Sequence, residues 1–208
     1  MRIQTPFEEK LNATTHALGA LLGISALILL IVFDNKKTDW SLFSVIIYGI
    51  SIIELFTAST LYHAVKGERQ KHYFRIADHI SIYLLIAGTY TPVLLIALEA
   101  SLGWTLFWVV WGIAAFGVVL KLFFTGRFEV FSTILYLVMG WLIVFDFTNL
   151  SANIGSNGIL LLFGGGLSYT LGIVFYAIEK IPFNHVIWHL FVLAGAIFHF
   201  FMIFFYVI

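Results

Sequence analysis

The sequence predicts an all-α membrane protein: a single domain over residues 1–208, a bundle of seven transmembrane helices with the N-terminus cytoplasmic and the C-terminus outside. Three observations predict it. Hydrophobic residues make up 61% of the chain and charged residues only 11%, with a mean hydropathy of +1.01, whereas soluble domains carry about a quarter charged residues. Apolar stretches of about 20 residues, enough to cross a bilayer, recur along the whole length. The eleven Lys and Arg residues are shared very unequally between alternate polar breaks.

The apolar segments run near 12–33, 41–64, 76–98, 102–125, 129–149, 157–178 and 184–207. The first follows the polar stretch MRIQTPFEEK. Its apolar run is too long for a signal-peptide core and lacks a small-residue cleavage pattern, so it is read as a retained helix. Glu9, Asn12, Thr15 and His16 open it on one stripe facing the bundle, and Gly19 and Gly23 form a GxxxG suited to close packing. The plainer alternatives are that Asn12 caps the helix and Glu9 complements its dipole.

The second segment carries Glu54 near mid-bilayer, where a carboxylate is protonated or paired, and then Ser59 and His63. The third begins with Asp78 and His79 and is kinked by Pro92. The fifth has Asp146 near its outer end, and the sixth has Gly164, Gly165 and Gly166, compatible with close packing. Pro182 initiates the seventh, which carries His185, His189 and His199. Short breaks suit an antiparallel bundle. No internal repeat is apparent, which weakens an alternating-access transporter reading.

Orientation follows from the charges. With seven spans, Arg2, Lys10, Lys66, Arg69, Lys71, Arg75, Lys121, Arg127 and Lys180 fall on one side and Lys36 and Lys37 on the other. Cytoplasmic loops retain Lys and Arg, so the N-terminus lies inside. That is the reverse of a G-protein-coupled receptor, and the last segment has no lysine to hold retinal. A net charge of zero and a pI near 7.1 provide no basic field, which argues against a nucleic-acid partner. With no cysteine, a borderline metal must be held by histidine and carboxylate. The sequence sets no oligomeric state.

This topology brings the inner ends of helices 2, 3 and 7 together, with His63, Asp78, His185 and His189 all roughly 5 to 14 Å from the nearest loop charge. His185 and His189, at i and i+4, share one helix face with Cβ atoms about 6 Å apart. His63 makes a third nitrogen ligand, leaving a fourth tetrahedral position open, as in a catalytic zinc site, with Asp78 placed to hold a water there. Ser59, one turn before His63, either serves that water or a developing oxyanion, or bonds the carbonyl four residues back. Glu9, Asn12, Thr15 and His16 are read as groups that orient the ligands. His199 lies on the order of 15 Å farther outward, too far for the same ion.

Taken together, E9-K-L-N12-A-T-T15-H16, S59-T-L-Y-H63, D78 and H185-V-I-W-H189 resemble, in order and over essentially the full length, the hemolysin III family within the progestin and adipoQ receptor group. The resemblance implies zinc on His63, His185 and His189 with Asp78 reaching it through water, as in adiponectin receptors. It also implies kinship with alkaline ceramidases, a bacterial cell-membrane location and a part in membrane homeostasis.

The leading expectation is a zinc hydrolase cutting an amide or ester of a membrane lipid, with Asp78 and Ser59 as catalytic groups. The alternatives are a non-enzymatic sensor stapled by zinc and a pore-forming cytolysin suggested by the family name. A haem protein is disfavoured, since His185 and His189 on one face cannot ligate opposite sides of one haem.

Overall fold

The structure, a computed structural model, describes residues 4–208 and is all-helical among them. Arg2, one of the charges used to orient the chain, lies outside the described residues. In chain order the helices are α1 (Pro6–Phe33), α2 (Ser41–Ala64), α3 (Glu68–Pro92), α4 (Gly103–Phe124), α5 (Glu129–Trp141), α6 (Phe147–Ala177) and α7 (Asn184–Met202). A π-helical turn, Val93–Ala97, extends α3 and another, Ile203–Val207, extends α7, while a 3-10 turn, Leu142–Asp146, joins α5 to α6. Six helical stretches are long and apolar enough to cross a membrane, the fifth being the 49 residues Glu129–Ala177.

That fifth stretch does not run straight. Along one helix Phe147 and Phe163 would be roughly 24 Å apart, yet their rings are 6.0 Å apart, and Trp141 Nε1 donates to Thr170 Oγ1 at 3.3 Å. The chain doubles back at Gly155, whose φ of 65° and ψ of 179° favour a residue without a side chain. The sequence placed a polar break over 150–156. Helix instead persists through it, and the reversal is compressed into one glycine.

Helix ends depart from the apolar segments where charged turns extend beyond them. In α1, Thr5 and not Asn12 is the cap: Glu8 N donates to Thr5 Oγ1 at 3.2 Å and Thr5 N to Glu8 Oε2 at 2.9 Å, a capping box with Pro6 in the first helical turn. In α3 the helix begins at Glu68, so Lys71 and Arg75 are helical rather than loop residues. Pro182 is not the first helical residue of α7. It sits in the turn before it, and the chain enters the helix through Phe183 in left-handed geometry, φ 57°.

Side chains sort as expected for lipid as solvent. Leu21, Val32, Trp108, Phe123, Val130, Phe145 and Leu160 are each at least 64% exposed, an apolar exterior that a soluble protein avoids. Glu54 is also on the exterior. The interior holds Tyr48, Phe56, Tyr83, Leu94 and Met202. GxxxG works as expected: a Cβ on Gly19 would strike Phe56 and one on Gly23 would strike Ile52, so α1 and α2 pack closely.

Asp146 is buried and accepts from Ser101 Oγ at 2.5 Å, Leu102 N at 3.0 Å and Asn149 Nδ2 at 2.7 Å, tying the start of α4 to the start of α6. It is therefore an internal tie. Asp146→Ala leaves Leu102 N and Asn149 Nδ2 without their acceptor, Ser101 keeping Leu98 O, and should cost about 2–3 kcal/mol, read as a lowered unfolding midpoint in detergent.

Candidate metal centre

α7 presents His185 and His189 one turn apart with ring centroids separated by 4.7 Å, and α2 brings His63 to 5.1 Å from the first and 4.9 Å from the second. One ligand nitrogen from each lies within 4.8 Å of the other two. These three histidines could hold a metal ion. His63 and His189 are buried and His185 partly so.

α1 packs against both α2 and α7 and fixes the rings. His63 Nδ1 donates to Glu9 Oε2 at 2.6 Å, and Lys71 Nζ donates to the other carboxylate oxygen at 2.5 Å. Since a carboxylate only accepts, the proton sits on Nδ1, and His63 Nε2, buried and without a partner, presents its lone pair. His189 repeats the pattern, with Nδ1 3.3 Å from the backbone carbonyl of Asn12. A ring whose far nitrogen is held by a carboxylate or carbonyl is the arrangement that orients metal-ligating histidines. The donor set thus fits a borderline divalent cation such as zinc.

The remaining α1 residues divide. His16 stacks on His189, centroids 3.6 Å and planes 12° apart, with its edge against Phe56 at 5.0 Å. Both polar atoms of the Asn12 side chain are buried without partners. The Thr15 hydroxyl is spent on its own helix, donating toward Leu11 O at 2.9 Å and Asn12 O at 3.0 Å.

Two cavities adjoin the cluster. A vestibule of about 250 Å³ is lined by Gln4, Glu9, His63, Lys71, Arg75 and His185 among others. The second places Ser59, Asp78 and His79 in one cavity with His16, His185 and His189. Asp78 shares that space without joining the three nitrogens that lie within 4.8 Å of one another. Ser59 Oγ is buried beside the Asp78 carboxyl, its side-chain partner, and bonds no carbonyl of its own helix, unlike Thr60, which donates to Phe56 O at 2.7 Å. The back-bonding alternative for Ser59 therefore does not hold.

A neighbouring ionic node escaped the sequence. Lys121, fully buried in α4, donates to Glu129 Oε2 at 2.8 Å, while Glu129 Oε1 lies 3.6 Å from Arg75 and 3.7 Å from His79 Nδ1. His79 thus faces Glu129, which lines the same cavity as the histidine cluster. The available signal was a lysine one turn inside an otherwise apolar helix, which sequence reasoning used only to orient the chain.

Glu9→Gln should weaken metal binding about 10- to 100-fold, the usual effect of losing such an outer partner, measured by competition with a chromogenic chelator.

The chain is similar to known proteins over nearly its whole length. A family model described as "Haemolysin-III related" matches residues 4–200. The chain is 46% identical over 202 residues to "Hemolysin-3" of Bacillus cereus, covering 97% of this chain and 92% of that protein. It is 47% identical over 200 residues to "Hemolysin-3 homolog" of Bacillus subtilis (strain 168), covering 96% and 94%. The human "Monocyte to macrophage differentiation factor" is 33% identical over 210 residues, covering 96% and 84%.

Proposed function

The chain belongs to the haemolysin-III related family, and on that premise we propose that it is a zinc-dependent hydrolase of lipid amides or esters in the bacterial cell membrane. The observation that carries this reading is the convergence of three imidazole nitrogens within 4.8 Å, beside a cavity lined by the Asp78 carboxyl and the Ser59 hydroxyl. We place seven crossings in this bundle. The doubling back at Gly155 splits the 49-residue stretch into two passes of about bilayer length, and the charge asymmetry puts the N-terminus and the metal centre on the cytoplasmic side.

When bound, zinc supplies Lewis acidity and activates water near neutral pH. The chain's own residues do the rest. Glu9 and the Asn12 carbonyl hold His63 and His189 in the tautomer that leaves Nε2 free. Asp78 takes the proton of the attacking water and returns it to the leaving group. Ser59, beside Asp78 in the same cavity, orients that water or stabilises charge developing on the carbonyl oxygen. The vestibule with Lys71 and Arg75 receives the polar part of the lipid.

Above the histidines the second cavity shares Leu55, Ile82, Tyr136, Ile173, Trp188 and Val192 with an apolar cavity higher in the bundle. Together they form a narrow apolar channel suited to an acyl chain. The test is release of fatty acid from a panel of lipid amides and esters, followed by mass spectrometry, with purified protein before and after chelation and zinc restoration. Zinc-dependent release is expected. Fully metallated protein that releases nothing from the panel sinks the hydrolase reading and leaves a zinc-stapled bundle acting as a sensor.

A further inference from the structure

Buried polar groups in an apolar cavity nearly always find partners, and among the residues lining the upper cavity His199 carries a buried ring nitrogen that does not. Thr89 donates to Leu85 O at 2.7 Å, Thr170 to Gly166 O at 2.8 Å and Tyr90 to Gly140 O at 2.9 Å, and Trp141 Nε1 is engaged by Thr170. His199, which lines this cavity, lies with Nε2 3.3 Å from the carbonyl of Leu162. A carbonyl only accepts, so Nε2 carries the proton and Nδ1 carries a lone pair. That Nδ1 is cut off from solvent and bonds nothing. The ring is braced by Gly165, where a Cβ would run into it, and by Tyr169 at 5.6 Å.

We propose that His199 is a specificity-determining residue that accepts a hydrogen bond from a hydroxyl carried on the apolar chain of the bound lipid. His199 lies on the same helix as His189, ten residues on, or roughly 15 Å along its axis. The matching hydroxyl therefore sits toward the far end of a chain whose polar end is at the histidine cluster. This rests on reading the channel as an acyl-chain site.

The experiment measures binding and not turnover, so it is independent of whether the lipid is cut. Purified full-length protein is titrated with a fatty acid hydroxylated near its methyl end and with the same acid unsubstituted, using the fluorescence of Trp141 and Trp188, both of which line the cavity. The wild type should prefer the hydroxylated acid by roughly five- to tenfold, the factor one neutral hydrogen bond supplies. His199→Leu should lose that preference while still binding the unsubstituted acid as the wild type does, which also shows that the variant is folded. His199→Gln, which keeps both a donor for Leu162 O and an acceptor, should restore it. Equal binding of the two acids by the wild type, or a preference that survives His199→Leu, overturns the inference and leaves the acyl-chain site standing. No binding of either acid overturns both.

Discussion

Protein in which His185 and His189 are both replaced by alanine is expected to purify without zinc, falling from about one ion per chain to background in elemental analysis, because one imidazole cannot hold a site that needs three or four ligands. The geometry behind this expectation is specific: the two rings of α7 and His63 of α2 are mutually 4.7 to 5.1 Å apart, and His199, also on α7, is not among the clustered nitrogens. His199→Leu is therefore the internal control and should keep its zinc. The loss should also appear as stability. An ion present at a thousandfold its dissociation constant stabilises the native state by about 4 kcal/mol, so chelated wild type and the double variant should unfold at a similar, lower temperature. A double variant with undiminished zinc would remove the basis for the site.

The second large effect is expected at Asp78. Asp78→Ala should lower turnover by roughly 10²- to 10⁴-fold, the range for loss of a general acid or base, while zinc content stays near that of the wild type, since Asp78 shares the cavity but stands outside the three clustered nitrogens. Retained zinc with lost turnover separates a chemical role from a structural one. If Asp78→Ala leaves both turnover and zinc unchanged, the proton transfer belongs to another group.

Which parts of this could be read from the sequence depended on how far apart the cooperating residues lie. α2 begins and ends at Ser41 and Ala64, where hydropathy changes abruptly, so its limits were legible. The starts of α1 and α3 were not, because helix there continues into charged turns stabilised by a capping box and by the Lys71–Glu9 pair. The His185 and His189 pair was visible from its spacing alone. Adding His63 needed a topology, and Glu9 was visible only as a member of a polar stripe. Which ring it holds follows from packing of α1 against α2, which no local pattern encodes. The Lys121–Glu129–His79 node was missed for the same reason: its members come from three helices, and each alone looked like a charge near a helix end.

The histidine of α2 and the pair on α7 are separated in the chain by four entire helices. A nascent polypeptide whose last helix is still in the ribosome therefore offers only His63 of the three clustered imidazoles, already tethered to Glu9. For a metal held there, capture would be the closing event of biogenesis and not its nucleus. Such a cation would act as a lock on a finished bundle, so that chains halted or truncated before Asn184 would stay unmetallated and be distinguishable, to any quality-control machinery, from completed ones.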